Sequence, residues 1–147
     1  MITCAWAVVC SQSIRNQETN NLSLIEILDR LIVPHPPTLQ EKPQFFSFNY
    51  EVVVSWEMGK DDGKKPDKFR VGILDPSGEI LLQGEEELEV RDIGKYVTAI
   101  QFNGLPITEP GLYKFRLEVP TSTDGGEWEE VKVVSLPVIY NSSPETE

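Results

Sequence analysis

The chain has 147 residues, of which 39% are hydrophobic and 25% charged, a composition typical of one globular domain. Its 24 acidic and 13 basic residues give a net charge of −11. Nucleic acids and anionic membranes are bound through clustered Lys and Arg, so we expect neither as a partner. No window approaches 18 consecutive apolar residues, which also argues against a membrane span.

Residues 2–10 predict a strand, because Ile2, Cys4, Trp6, Val8 and Cys10 alternate with small residues. The alternation places both cysteines on one face, roughly 20 Å apart along the strand. A disulfide needs Cα atoms within about 7 Å, so we expect two free thiols. Free thiols, together with an N-terminus that lacks the basic region of a signal peptide, predict a cytoplasmic protein. The polar residues 11–21 predict a loop.

Residues 22–33 (LSLIEILDRLIV) fit a helix with one apolar stripe and equally a strand with a bulge. Propensity slightly favours the helix. The strand-rich surroundings and the stop at Pro34 favour the strand, which we predict. A proline-rich connection follows up to Pro43.

Residues 45–56 (FFSFNYEVVVSW) give the strongest pattern in the chain. Every even position from Phe46 to Trp56 is apolar or aromatic, whereas most odd positions are polar. This period of two predicts a long strand with one buried and one wet face, bent at a bulge. We expect Tyr50, Val52 and Val54 to share a core with Phe115 and Leu117.

The rest of the chain continues the strand pattern. Asp75-Pro76-Ser77-Gly78 is a turn sequence between two alternating runs, so residues 69–83 predict a hairpin. Further alternation predicts strands at residues 96–102 and 113–119, and one or two strands at 128–140, interrupted near Pro137. About seven to nine strands with little helix predict an all-β fold, an antiparallel β-sandwich. We place this domain at residues 1–140 and a flexible tail at 141–147.

Two features resemble immunoglobulin-like sandwiches: the lone apolar-face Trp56, and the Gly111-x-Tyr113-x-Phe115 opening of a late strand. The tyrosine of such a motif makes a hydrogen bond at the corner of the fold. The two cysteines do not match the inter-sheet pair of antibody domains.

Over nearly the whole chain, the order of features is similar to a family of small uncharacterised bacterial cytoplasmic proteins, a domain of unknown function. The shared features are a short N-terminal strand, a polar loop, a segment like residues 21–30, a proline-rich connection, the Asp-Pro-Ser-Gly hairpin and the late Gly-x-Tyr-x-Phe strand. In that family a glycine commonly lies near the position of Glu26 and bends the strand. The resemblance implies a sandwich fold without an assigned activity.

Catalytic and zinc chemistry have few candidate residues. The only histidine, His35, lies between prolines, where a solvated loop residue is expected rather than a member of a triad. Cys4, Cys10 and His35 lack the spacing of zinc ligands. We therefore predict no catalytic residues, no cofactor and no metal ligands, and an enzyme is disfavoured.

Calcium binding is the most specific site hypothesis that remains. Asp61, Asp62 and Asp67 share one loop, and Asp75 and Asp92 could approach it. Four lysines interleaved with these acids oppose a dication: Lys60, Lys64, Lys65 and Lys68. A self-neutralised, solvated loop is the simpler interpretation.

Two surface features suggest binding. Glu85, Glu86, Glu87 and Glu89 form an acidic block without a nearby cation in sequence until Arg91. The block fits either a charge-protected edge strand or a docking face for a basic protein.

The tryptophans offer a weaker hypothesis, sugar stacking. Trp6 and Trp56 fall on apolar faces and are predicted to be core, whereas Trp128 follows a Gly-Gly turn and is expected at the surface.

We therefore expect a non-catalytic cytoplasmic sandwich that serves as a protein-interaction or structural module, with a basic protein surface as its candidate partner. The alternative is a sandwich that binds calcium or carbohydrate.

Overall fold

The computed structural model describes residues 2–34, 44–58, 67–88, 94–121 and 126–141, and these ranges form strands without any helix. The nine strands are β1 (Ile2–Arg15), β2 (Leu22–Ile27), β3 (Leu31–Pro34), β4 (Gln44–Met58), β5 (Lys68–Leu74), β6 (Ile80–Glu87), β7 (Gly94–Ile107), β8 (Gly111–Pro120) and β9 (Trp128–Asn141). Within these ranges, no helix is long and apolar enough to cross a membrane. The predicted proline-rich connection and the C-terminal tail from residue 142 lie outside the described residues.

The strands form two sheets. A four-stranded sheet has the order β2-β1-β4-β7, and a five-stranded sheet, which curls, has the order β3-β9-β8-β5-β6. The prediction of an all-β fold with two sheets is confirmed. The antiparallel prediction is wrong for one pair, because β3 runs parallel to β9. Only three residues separate β2 from β3, so the chain passes directly from the edge of one sheet to the edge of the other.

Strand β4 lies between β1 and β7 and confirms the predicted long strand, including a bulge between Ser47 and Tyr50. Its even face is buried from Tyr50 to Trp56 as predicted, whereas Phe46 and Phe48 are only half-buried. The prediction of a wet odd face is wrong at the middle of β4, where Glu51, Val53 and Ser55 are also buried. Side chains of the two flanking strands shield this central strand; Val53, for example, lies between Val8 and Ala99 in register.

The core lies between the two sheets. Tyr50, Val52 and Val54 are buried in one cluster with Phe115 and Leu117, as predicted. The Tyr50 and Phe115 rings meet edge-on across the sheets, with centroids 6.0 Å apart. Each such buried side chain stabilises the fold by roughly 1.5–3 kcal/mol relative to exposure.

Trp56 forms a second contact between the sheets. It is fully buried, as predicted, and its ring packs against Phe69 at 5.4 Å between centroids. Its indole Nε1 donates a hydrogen bond to Thr98 Oγ1 at 2.8 Å, so the buried polar atom is satisfied.

Strand β1 corrects three predictions. It continues to Arg15, so the predicted loop at 11–21 is shorter. A register shift between Cys4 and Trp6 reverses the alternation. Trp6 is consequently 39% exposed rather than core. For the same reason the two cysteines do not share a face. Cys4 pairs with Trp56 and packs against the core between the sheets, whereas Cys10, although fully buried, pairs with Glu51 on the other side of the sheet.

The ambiguous residues 22–33 are strand, as predicted, and divide into β2 and β3. The bend falls at Glu26, whose φ of 55° lies in the left-handed region. Beyond it, the Leu28 N–H donates to the carbonyl oxygen of Val9 at 2.8 Å. The strand bend that the family resemblance implied is therefore present here on a glutamate.

The predicted hairpin of β5 and β6 is confirmed, and Asp75 closes its turn. The Asp75 carboxylate accepts hydrogen bonds from the N–H groups of Ser77 and Glu79, both at 2.9 Å, and from the Ser77 hydroxyl at 2.7 Å. Gly78 has a φ of 96°, which a glycine adopts without steric cost.

Tyr113 makes the predicted corner hydrogen bond. Its hydroxyl donates to the carbonyl oxygen of Glu109 at 2.7 Å and accepts from the Thr108 N–H at 3.1 Å. The bond ties the start of β8 to the turn that precedes it.

The predicted interruption at Pro137 is wrong, because β9 is continuous through it. Pro137 lies one residue before β9 begins to pair with β3 at Val138, so its missing N–H breaks no bond to β3.

Candidate interaction surface

The acidic block predicted from the sequence lies on β6, the end strand of the five-stranded sheet. Glu85, Glu86 and Glu87 are all exposed. The segment is held at its end by Leu88, which is buried and donates its N–H to the carbonyl oxygen of Asp67 at 2.8 Å. Glu89 lies outside the described residues. The expected edge position is therefore observed.

The block is partly neutralised, although no Lys or Arg lies next to it in the sequence until Arg91. The cations come from the neighbouring strand β5 rather than from adjacent sequence. Lys68 Nζ lies 3.9 Å from Glu85 Oε1. Arg70 is directly opposite Glu85 in the register. The Lys68–Glu85 pair is solvent-exposed and contributes about 0–1 kcal/mol to stability. One paired lysine against three glutamates leaves a net negative charge along the described part of β6.

Next to this edge, the outer side of the five-stranded sheet carries an ion cluster that sequence reasoning missed. Arg70 Nε donates to Glu118 Oε1 at 2.8 Å, and Arg116 Nε lies 3.6 Å from the same oxygen. Arg116 Nε is buried and has no hydrogen-bond partner among the described residues. Polar positions that alternate with the apolar residues of β5 and β8 were the available signal, but only the strand register brings them together.

Trp128 lies at the surface end of this cluster. The Arg70 guanidinium carbon is 4.1 Å from the ring centroid and Lys68 Nζ is 5.4 Å from it, both cation–π contacts. Trp128 is only partly exposed. Because Arg70 stacks on one ring face, that face is not available as a platform for a sugar.

The acidic loop that was weighed as an alternative calcium site lies largely outside the described residues. Asp61, Asp62 and Asp92 lie outside the described ranges, and so does His35. Asp67 is exposed, and the Asp75 carboxylate is used by its turn. The placed part of the chain contains no cluster of three or more His, Cys, Asp or Glu that could hold a metal.

The two thiols are both unbridged, and burial raises the pKa of each. The Glu51 carboxylate further raises the pKa of Cys10, whereas a hydrogen bond to the Gln12 carbonyl lowers it. Lys132 partly offsets the rise in the pKa of Cys4. Thiols of raised pKa are poor nucleophiles at neutral pH.

Taken together, the described residues define an all-β protein of two sheets with a charged outer face and an acidic edge. The sequence model of a protein family, described as a family of unknown function (DUF6941), matches residues 5–132. The match begins within β1 and ends within β9. The chain belongs to this family. No curated protein matches it.

Proposed function

We propose that the protein is a non-catalytic interaction module whose acidic edge strand β6 docks a basic surface of a protein partner. The observation that carries the proposal is the run of three exposed glutamates, Glu85 to Glu87, on the end strand of a sheet. Exposed like charges this close oppose folding slightly, so they are not there for stability. They attract a cationic partner and accelerate its encounter.

Edge protection alone is the competing explanation for the same charges. It predicts that neutralising them leaves any partner's affinity unchanged. The docking proposal predicts a slower association and a flatter salt dependence, because rim charges act mainly on the encounter rate.

The test first captures a partner from the native host. The rate of association with this partner is then measured at several salt concentrations. The variant is Glu85→Gln with Glu87→Gln, and the matched control is Glu18→Gln with Glu129→Gln, which changes the net charge equally at exposed positions away from β6. We expect slower association only for the first variant, with both stabilities within about ±0.5 kcal/mol of the wild type. Binding that is indifferent to the substitutions and to salt removes β6 from the interface.

We also propose that the two sheets form an immunoglobulin-like sandwich in a bacterial cytoplasmic protein. The Tyr113 corner bond supports the fold type. The unbridged Cys4 and Cys10 support a reducing compartment.

A further inference from the structure

We propose that two copies of the chain pack against each other through the outer side of the four-stranded sheet, the side that faces away from the core. Strand β6 belongs to the other sheet, so this proposal does not rest on the docking proposed for the acidic edge.

The register identifies an apolar layer on this outer side. In β1, Ala7 and Val9 pack on the core between the sheets, so the alternating Val8 faces outward. Val8 pairs with Val53 of β4, which pairs with Ala99 of β7, and the three form one row across the sheet. Val53 is fully buried without belonging to the core cluster between the sheets. The outer side therefore has apolar packing of its own.

The two neighbouring rows extend this layer. In one of them, Trp6 and Val97 flank Ser55. In the other, Cys10 of β1 pairs with Ile27 of β2. Trp6 is 39% exposed and Ile27 is 51% exposed. An antiparallel sheet normally carries polar residues on a side that meets water, so an exposed apolar layer here marks an interaction surface.

The layer is close to neutral, although the chain carries a net charge of −11. Its three rows and the next row beyond Ser55 contain three charged residues among those described: Glu51, Glu57 and Lys95. Glu51 is buried, and its carboxylate accepts a hydrogen bond from Ser13 Oγ at 2.5 Å. Glu57 and Lys95 pair with each other, with Oε1 and Nζ 3.8 Å apart. The charged outer face described above belongs to the other sheet.

This distribution of charge argues for a second copy as the occupant. Sheets packed face to face lie about 10 Å apart, so two copies joined here form four layers, with the charged outer faces of their five-stranded sheets roughly 30 Å apart. The screening length is about 10 Å at 0.1 M salt, so repulsion between those faces is weak. Contact through the five-stranded sheets would instead bring two ion clusters together. A basic partner gains little attraction from a face this close to neutral.

The size of the face also suits a dimer. Strands β1, β4 and β7 have 14 or 15 residues each, roughly 45 Å of extended chain. With about 4.8 Å between strands and a shorter β2, the sheet covers roughly 750 Å². A standard interface buries about 800 Å² on each partner.

The test measures self-association of the full chain by sedimentation velocity, up to a protein concentration of about 1 mM. We expect a reversible equilibrium between monomer and dimer. Salt screens the residual repulsion between two acidic copies, so the dissociation constant should fall at least about twofold between about 20 mM and about 300 mM sodium chloride. In NMR spectra, the methyl signals of Val97 and Ala99 should shift with protein concentration, whereas that of Leu112, an exposed residue of the five-stranded sheet, should not.

Two isoleucines provide a matched pair of variants. Ile27 lies on the proposed face and Ile80 lies on β6 of the other sheet, and both are 51% exposed. Ile27→Glu places a carboxylate of each copy in the interface and should raise the dissociation constant at least about tenfold. Ile80→Glu changes the charge equally and should alter it less than about twofold.

Ala99→Glu, on the opposite edge strand of the same face, should weaken the dimer as Ile27→Glu does. Urea denaturation shows whether each variant is folded. A chain that stays monomeric up to about 1 mM overturns the proposal, whether or not another protein covers the face. A dissociation constant that rises with salt, or equal effects of Ile27→Glu and Ile80→Glu, overturns it as well.

Discussion

At the scale of single residues, Glu26 holds a strained backbone conformation. A residue other than glycine in the left-handed region costs roughly 1–2 kcal/mol. Its φ of 55° bends β2 just before the chain crosses to the other sheet. The Glu26 carboxylate accepts a hydrogen bond from Ser11 Oγ at 2.5 Å, an exposed contact that offsets only part of this cost.

Replacing Glu26 with glycine should therefore stabilise the protein by about 1 kcal/mol, after the greater flexibility of glycine in the unfolded chain is subtracted. Glu26→Ala is the control, because it removes the carboxylate and keeps the strain, and it should give no gain. Urea denaturation measures both free energies of unfolding. Equal effects of the two substitutions would show that the backbone conformation is not the cause.

Asp75 gives a pH-dependent prediction. Burial raises the pKa of its carboxyl, but hydrogen bonds from the Ser77 hydroxyl and from the N–H groups of Glu79, Ser77 and Gly78 outweigh burial, and the pKa falls below its ordinary value of 3.8. A carboxyl whose pKa is lower in the folded state stabilises the fold above its unfolded pKa, and loses that effect as pH falls through the folded pKa.

Asp75→Ala should therefore cost about 1–3 kcal/mol at neutral pH, the range for lost hydrogen bonds to a charged group. The difference between the two proteins should shrink as pH falls below 3.8 and towards the folded pKa of Asp75. Thermal or urea unfolding across this pH range measures it. A difference that is independent of pH would mean that the carboxylate charge does not hold the turn.

At the scale of elements, β1 shows where sequence patterns stop being sufficient. Its composition predicted a strand correctly, but a single bulge between Cys4 and Trp6 exchanged the two faces for the rest of the strand. An alternating pattern does not reveal where a bulge inserts an extra residue. One bulge shifts the following side chains to the opposite face and is enough to expose Trp6. By contrast, the turn sequence at Asp75 and the tyrosine motif at Tyr113 are local, and both were predicted correctly.

The arrangement of β1 predicts the chemistry of its cysteines. Six residues of extended strand and opposite faces prevent Cys4 and Cys10 from bridging. Protein purified with its thiols blocked during lysis should contain no intramolecular disulfide. The unblocked native protein should react slowly with a thiol reagent because both thiol pKa values are raised, and after denaturation both thiols should react. An internal disulfide would contradict both the strand and the proposed reducing compartment.

At the scale of the whole molecule, the sequence predicted the class of fold and much of the core, because apolar and polar residues alternate within most strands. It did not predict which strands are neighbours. The ion cluster of Arg70, Arg116 and Glu118 depends on pairing between β5 and β8, which are more than 35 residues apart in the chain. The contact between the two sheets at β6 and β7 depends likewise on long-range geometry.

Gly84 marks that contact between the sheets. A Cβ on Gly84 would lie 2.9 Å from Ile100 Cδ1 and 3.7 Å from the Phe102 ring, both on β7. The side chains of β7 therefore use the space that the glycine of β6 leaves, and this space sets how closely the two sheets approach at their edges. Gly72, in the next strand, has no neighbour nearer than 4.0 Å to the same hypothetical atom.

Alanine suits a strand interior better than glycine by roughly 0.5–1 kcal/mol, so Gly72→Ala, the matched control, should be neutral or stabilising. Gly84→Ala should be less stable than Gly72→Ala by about 1 kcal/mol, because overpacking against Ile100 Cδ1 opposes the same gain. Ile100→Val removes the carbon nearest to the new methyl. In that background the cost of Gly84→Ala should disappear, which corresponds to an interaction energy of at least about 0.5 kcal/mol in the double-mutant cycle. Chemical denaturation of the four proteins of the cycle measures this term. Additive effects, or equal responses at Gly84 and Gly72, would place the edge of β6 away from β7, because two groups that do not touch have no reason to couple.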